Sequence, residues 1–216
     1  TRGLSRSAEA HLKEHLRTAL LPLTKKYEIE MDLGTTTVSA VRHAPSLVMW
    51  YDMRLGHKTI LGDPSFVASL THFRADRIPP WDIRNLLVNR GTALIINEHL
   101  IETGRATGAG QKAIVKHAMK AIIGYGDALL FFLGDYHWSY VEKQRRMRAR
   151  ADVPAEFRSL YDEAVEFRFR PHYPPYLARD PGEWMSELRR RLAPWHLLCE
   201  SKRLRVDHLA WEDYPE

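Results

Sequence analysis

Cys199 is the only cysteine in 216 residues. One thiol cannot close an internal disulfide, so the fold must rest on packing, and a reducing, cytoplasmic compartment is the expectation. The chain also has no run approaching the ~20 apolar residues that a membrane helix requires. It has neither a secretory signal at its start nor an initiator methionine. The opening Thr1-Arg2-Gly3-Leu4 leads us to expect residues before it. Charge of one sign is not in large excess: Lys and Arg number 32 and Asp and Glu 27, a net +5. The excess of positive charge is modest and uneven along the chain.

A hydrophobic fraction of 44 % and a charged fraction of 27 % are those of an ordinary globular chain, long enough to bury a real core. The basic residues are clustered, at Arg145-Arg146-Met147-Arg148-Ala149-Arg150, Arg189-Arg190-Arg191 and Lys202-Arg203-Leu204-Arg205. Such runs attract phosphates or form solvated helix faces. Aromatic residues are not interleaved with them as a stacking platform for nucleic acid requires, so nucleic acid is not favoured as a partner.

Periodicity divides the chain. Leu12, Leu16, Ala19, Leu20 and Leu23 fall at helical spacing, predicting a helix over 5–26. From Tyr27 the period becomes two: Ile29, Met31 and Leu33 alternate with Glu28, Glu30 and Asp32, which predicts a strand with three carboxylates on one face. A short helix is expected over 45–55, a short strand at Lys58 to Leu61, and a helical turn within 65–72. Ile78-Pro79-Pro80 marks a boundary. Beyond it, helices are expected near 81–103, 111–134, 138–150, 154–168 and 181–198, with Gly104–Gly110 and Pro171–Pro181 as connectors. The expectation is an α+β protein, mainly α: a remnant of a small mixed sheet over 1–76, followed by a C-terminal helical bundle over 77–216.

Four features bear on chemistry. Carboxylates at alternate strand positions stand ~6.5–7 Å apart, a spacing that hard divalent cations use and that a solvated edge strand also shows. On the helix near 81–103, Ile83, Leu87, Arg90 and Leu94 share one face, so Arg90 is a cation on an apolar stripe. It needs an anion: Asp127, a strand carboxylate, or a substrate phosphate. Asp127 interrupts a strongly apolar helix. Finally, Tyr136-His137-Trp138-Ser139-Tyr140 is a dense polar-aromatic turn, in which His137 can act as acid, base or hydrogen-bond donor to a phosphate, or can cap the preceding helix.

The segments Ile29–Leu33, Trp50–Pro64, Arg84–Gly91 and Gly126–Tyr140 resemble, in order and spacing, the polymerase-β superfamily of nucleotidyltransferases, in particular bacterial members with a kanamycin-nucleotidyltransferase-like helical domain. The family's Gly-Ser turn with two nearby acids is absent from this chain and would precede Thr1. The resemblance implies Mg²⁺-dependent transfer of a nucleotidyl group from a nucleoside triphosphate to an acceptor that the sequence does not identify. It maps the third metal-binding acid onto Glu30 or Asp32 and sets the turn with Tyr136, His137 and Tyr140 toward the cleft; Arg90 and Asp127, singled out by the helix pattern, are either a structural ion pair between two helices or groups facing the nucleotide. The chain alone is expected to be incomplete for catalysis. The rival expectations are a non-catalytic helical module, including a homodimer formed through the helical domain, and a nucleic-acid binder using the Arg-rich helix.

Two further patterns are read as structural. His11-Leu12-Lys13-Glu14-His15 has the spacing of inverted zinc peptidases but no evident third ligand, and is expected to be a solvent-facing helix edge. Gly104-Arg105-Ala106-Thr107-Gly108-Ala109-Gly110-Gln111-Lys112 fails the phosphate-loop pattern and follows a helix, so it is expected to be a linker.

Overall fold

The computed structural model describes residues 5–27 and 31–214, with the side chain of Arg6 excepted. It divides into two compact units, 1–45 and 46–216. The boundary expected near residue 76 therefore falls inside the second unit.

The first unit holds α1 (Arg6–Tyr27) and the short α2 (Val38–His43). Within α1, Lys13 pairs with Glu9 at 2.9 Å and Arg17 with Glu14 at 2.9 Å. Thr37 caps α2, its hydroxyl accepting the Ala40 N–H at 3.0 Å, which satisfies one of the donors left over at a helix start. His11 and His15 are both exposed on α1, as expected for a helix edge.

The strand expected over 27–33 is not found. Tyr27 is the last residue of α1, Glu28, Ile29 and Glu30 lie outside the described residues, and 31–37 are irregular. Met31 is exposed rather than buried opposite Asp32. The segment expected as a strand at Lys58 to Leu61 is irregular as well, with Ile60 and Leu61 almost fully exposed. The cause is common to both. Alternation shows that a segment can be a strand, but its N–H and C=O groups need a ladder partner, and there is no strand among the described residues.

The second unit is helical. It comprises α3 (Val48–Gly56), α4 (Ser65–Ala68), α5 (Pro80–Glu102), α6 (Ala109–Phe132), α7 (Tyr140–Ala149), α8 (Ala155–Phe169), α9 (Pro174–Leu177) and α10 (Pro181–Leu204), with 3₁₀ turns at Ala75–Arg77 and Trp211–Asp213. The starts follow known rules. Pro80 opens α5, where a missing N–H costs nothing. Asp180 caps α10 by accepting the Glu183 N–H at 2.8 Å. Asp82, in the first turn of α5, also accepts the Val48 N–H at 2.8 Å and so caps α3.

At the centre lies α6. Every residue from Ala121 to Leu130 is buried, because Ala-Ile-Ile-Gly-Tyr-Gly-Asp-Ala-Leu-Leu is apolar nearly all round, and such a helix needs neighbours on every side. Those neighbours are α5, α7, α8, α9 and α10. Gly126 is what lets α8 come close: a Cβ there would stand 2.0 Å from Cδ2 of Tyr161. The segment Gly104–Gly110 joins α5 to α6 through two residues with positive φ, Gly104 at 67° and Gly108 at 52°, conformations that glycine adopts without strain.

Candidate functional site

Asp127 is the one acid inside the buried run of α6, and it has two partners. Lys143, on α7, is fully buried and places its Nζ 2.5 Å from Asp127 Oδ2. Tyr161, on α8, donates its hydroxyl to Oδ1 at 2.7 Å. The ammonium also lies 4.1 Å from the ring centroid of Tyr140 and 5.0 Å from that of Tyr136, where ring quadrupoles attract cations. One carboxylate thus joins three helices, and the lysine sits between it and two tyrosine rings.

Beside this node is Asp52 on α3. The Tyr136 hydroxyl donates to both of its carboxylate oxygens at 3.1 Å. Burial pushes the Asp52 carboxyl up to about 7, aided by the charge of Asp127 and opposed by Lys143 and the Tyr136 hydroxyl. Burial likewise raises the phenols of Tyr136 and Tyr161, so both remain hydroxyl donors at neutral pH. Around the pair, the Tyr51 and Tyr136 rings stand 5.9 Å apart, and Gly56 lies against Trp138, where a Cβ would come within 3.0 Å of Cε3.

His137 receives the Ser139 N–H on Nδ1 at 3.1 Å, and burial lowers its pKa. It therefore braces the turn that precedes α7, and the cap of that helix is Ser139, whose hydroxyl accepts the Glu142 N–H. Tyr140 is half-buried under the guanidinium of Arg168, 4.3 Å from Cζ to the ring centroid.

Arg90 does not meet Asp127, whose oxygens are taken by Lys143 and Tyr161. Its stem lies on α6, where a Cβ on Gly124 would meet Arg90 Cγ at 2.5 Å. The residue is only half-buried. Its Nη1 donates to Asn89 Oδ1 at 3.2 Å, and its Nε is buried without a partner. Ile83, Leu87 and Leu94 are buried as the stripe requires, and the aliphatic stem of Arg90 covers apolar surface of α6, as amphipathic cations do.

Lys143 and Asp52 are the residues that sequence reasoning missed. A signal for Lys143 was present: Tyr140, Lys143 and Met147 share a stripe at i, i+3 and i+7, and Met147 is fully buried. It was obscured by the arginines around it. Those arginines are engaged on the surface. Arg145 and Arg146 pair with Glu142 at 2.7 and 2.8 Å, Arg148 with Asp162 at 2.5 Å, and Arg150 with both Asp135 and Asp152 at 2.6 Å.

Mg²⁺, which the resemblance implies, binds through one or two carboxylates and substrate phosphates. Asp32 is exposed on an irregular segment and Glu30 lies outside the described residues. Among the described residues no group of three or more His, Cys, Asp or Glu side chains is arranged to hold a metal. Nor, among them, is any helix long and apolar enough to cross a membrane. Compared with protein-family models, with curated proteins and with solved structures, the chain matches none.

Proposed function

We propose that this chain is part of a nucleotidyltransferase-like protein that transfers a nucleotidyl group from a nucleoside triphosphate to an acceptor, with its helical unit on the acceptor side. One observation supports this above the others. Two of the segments that carry the resemblance, Trp50–Pro64 and Gly126–Tyr140, are far apart in sequence yet pack together through Asp52 with Tyr136, Tyr51 with Tyr136, and Gly56 with Trp138. Their likeness is thus that of one spatial cluster, not of scattered strings. Within the cluster Asp52 titrates near neutrality, the range in which a carboxyl can exchange a proton with an acceptor hydroxyl. His137 and Tyr140, in the same turn as Tyr136, are half-buried polar groups.

The test uses the protein that carries this chain, with any residues its gene places before Thr1. It is incubated with each common nucleoside triphosphate labelled at the α-phosphate, with Mg²⁺ and a cell extract as acceptor source. The reading expects pyrophosphate release and transfer of label, both lost when Glu30→Gln and Asp32→Asn are combined. A protein that folds but releases no pyrophosphate from any of the triphosphates overturns it.

The second reading is a non-catalytic helical module. It is favoured by the mutual satisfaction of Asp127, Lys143 and Tyr161, buried groups that need no ligand to be stable. Nucleic-acid binding through 145–150 has less support, because those arginines already hold carboxylates.

A further inference from the structure

Helix α5 has two apolar faces. One holds Ile83, Leu87 and Leu94 and is buried against α6 and α10. The other carries Trp81, Val88, Ile95 and Ile96, which are 50, 49, 65 and 46 % exposed. Single exposed apolar residues are ordinary. Four large ones on one side of one helix form a patch of the kind that marks an interaction surface. Trp81, Val88 and Ile95 follow each other at intervals of seven, the repeat that keeps a seam facing a partner helix. Asn85, Thr92 and His99 lie on the same side and are exposed as well.

We infer that this face of α5 packs against the same face of a second copy of the chain, with the two helices antiparallel about a two-fold axis at the level of Ala93. Charge complementarity along α5 selects this arrangement. Arg84 and Glu102 lie near opposite ends of α5, at the same angular position beside the seam, since eighteen residues complete five turns of an α-helix. Both are exposed, and neither has an ion-pair partner among the described residues. A two-fold axis in the interface, perpendicular to the helices, brings Arg84 of each copy to Glu102 of the other. It also lays Ile95 of one copy over the bare backbone of Gly91 in the other. A parallel pairing in register would oppose Arg84 to Arg84 and Glu102 to Glu102, which like-charge repulsion disfavours. This inference is independent of the transferase reading.

Sedimentation of the full chain over a concentration series tests it, with circular dichroism to confirm folding of each variant. The expected result is a monomer–dimer equilibrium that Ile95→Glu shifts to monomer. Arg84→Glu and Glu102→Arg should each raise the dimer dissociation constant about tenfold or more, and the two together should restore it. Thr92→Cys should form a disulfide between copies under mild oxidation, because it stands next to the two-fold and the native Cys199 is buried. A chain that is monomeric throughout overturns the inference. So does a dimer indifferent to Ile95→Glu, or a double charge reversal no better than its parents. If the patch instead receives another segment of the protein or a different partner, the full chain stays monomeric.

Discussion

Lys143 and Asp127 meet inside the helical unit with 2.5 Å between Nζ and Oδ2, the lysine fully buried and Tyr161 holding the other carboxylate oxygen. An ion pair removed from water gains little net stability over an apolar pair of the same shape, because desolvation offsets most of the attraction. What it does provide is intolerance of error. Either charge without the other is severely destabilising, so α6, α7 and α8 are held to the one arrangement that brings the groups together.

Asp52 makes stability depend on pH in an unusual direction. Its carboxyl is raised from 3.8 to about 7, chiefly by burial. Between those values the folded state binds more protons than the unfolded state, so stability falls as pH rises. The contribution is fully present below the ordinary carboxylate value and is lost as pH climbs through about 7. Asp52→Asn keeps an oxygen for the Tyr136 hydroxyl and cannot ionise. The variant should flatten the decline, which is on the order of 2–4 kcal/mol, so that its melting temperature gains steadily on the parent's as pH rises from about 4 to about 8. Parallel melting curves for the two proteins across this range would contradict the assignment.

Glycine substitutions separate close contacts that can yield from those that cannot. At Gly126 a Cβ would stand 2.0 Å from the ring of Tyr161, which is fully buried and bonded to Asp127. Gly126→Ala should cost about 1–3 kcal/mol or more through overpacking. At Gly124 the obstacle is Cγ of the half-exposed Arg90, which can swing away. The ~1 kcal/mol that alanine gains over glycine within a helix should leave Gly124→Ala close to neutral. Chemical denaturation of both variants checks the order, and equal losses would be inconsistent with this packing.

Arg90 should be nearly dispensable for folding. Among the described residues it has no carboxylate partner, and its buried Nε is unsatisfied, so Arg90→Met removes a polar group that was already a liability. A change within about 1 kcal/mol is expected. A loss of ~3–5 kcal/mol on thermal melting, the size that accompanies a broken buried ion pair, would mean that Arg90 meets an anion after all.

The long helices of the second unit were legible because their signals are local: apolar spacing, Pro80 at a start, glycines past an end. The strand expected around Glu30 and the one at Lys58 to Leu61 were not, because pairing is a property of two segments and alternation belongs to one. At the node, the stripe argument that singled out Arg90 applied equally to Lys143, which lies in a run of arginines that made it look exposed. Sequence identified Asp127 as an acid in need of a partner. Choosing between Arg90 and Lys143 required knowing that α7 folds back across α6, a tertiary fact that neither helix carries alone. Asp52 gave no signal by itself; its chemistry comes from its half-buried place against the Tyr136 hydroxyl.

The double-mutant cycle at Lys143 and Asp127, followed by denaturant unfolding, tests the arrangement most directly. Lys143→Met alone leaves a buried carboxylate with only the Tyr161 hydroxyl, and Asp127→Leu alone leaves a buried ammonium between two rings. Each should cost about 3–5 kcal/mol, while the double variant, from which both charges are gone, should recover most of the loss. Two mild and additive effects would contradict the buried pair, and with it the packing that unites Asp52, Tyr136 and Tyr140 in one cluster.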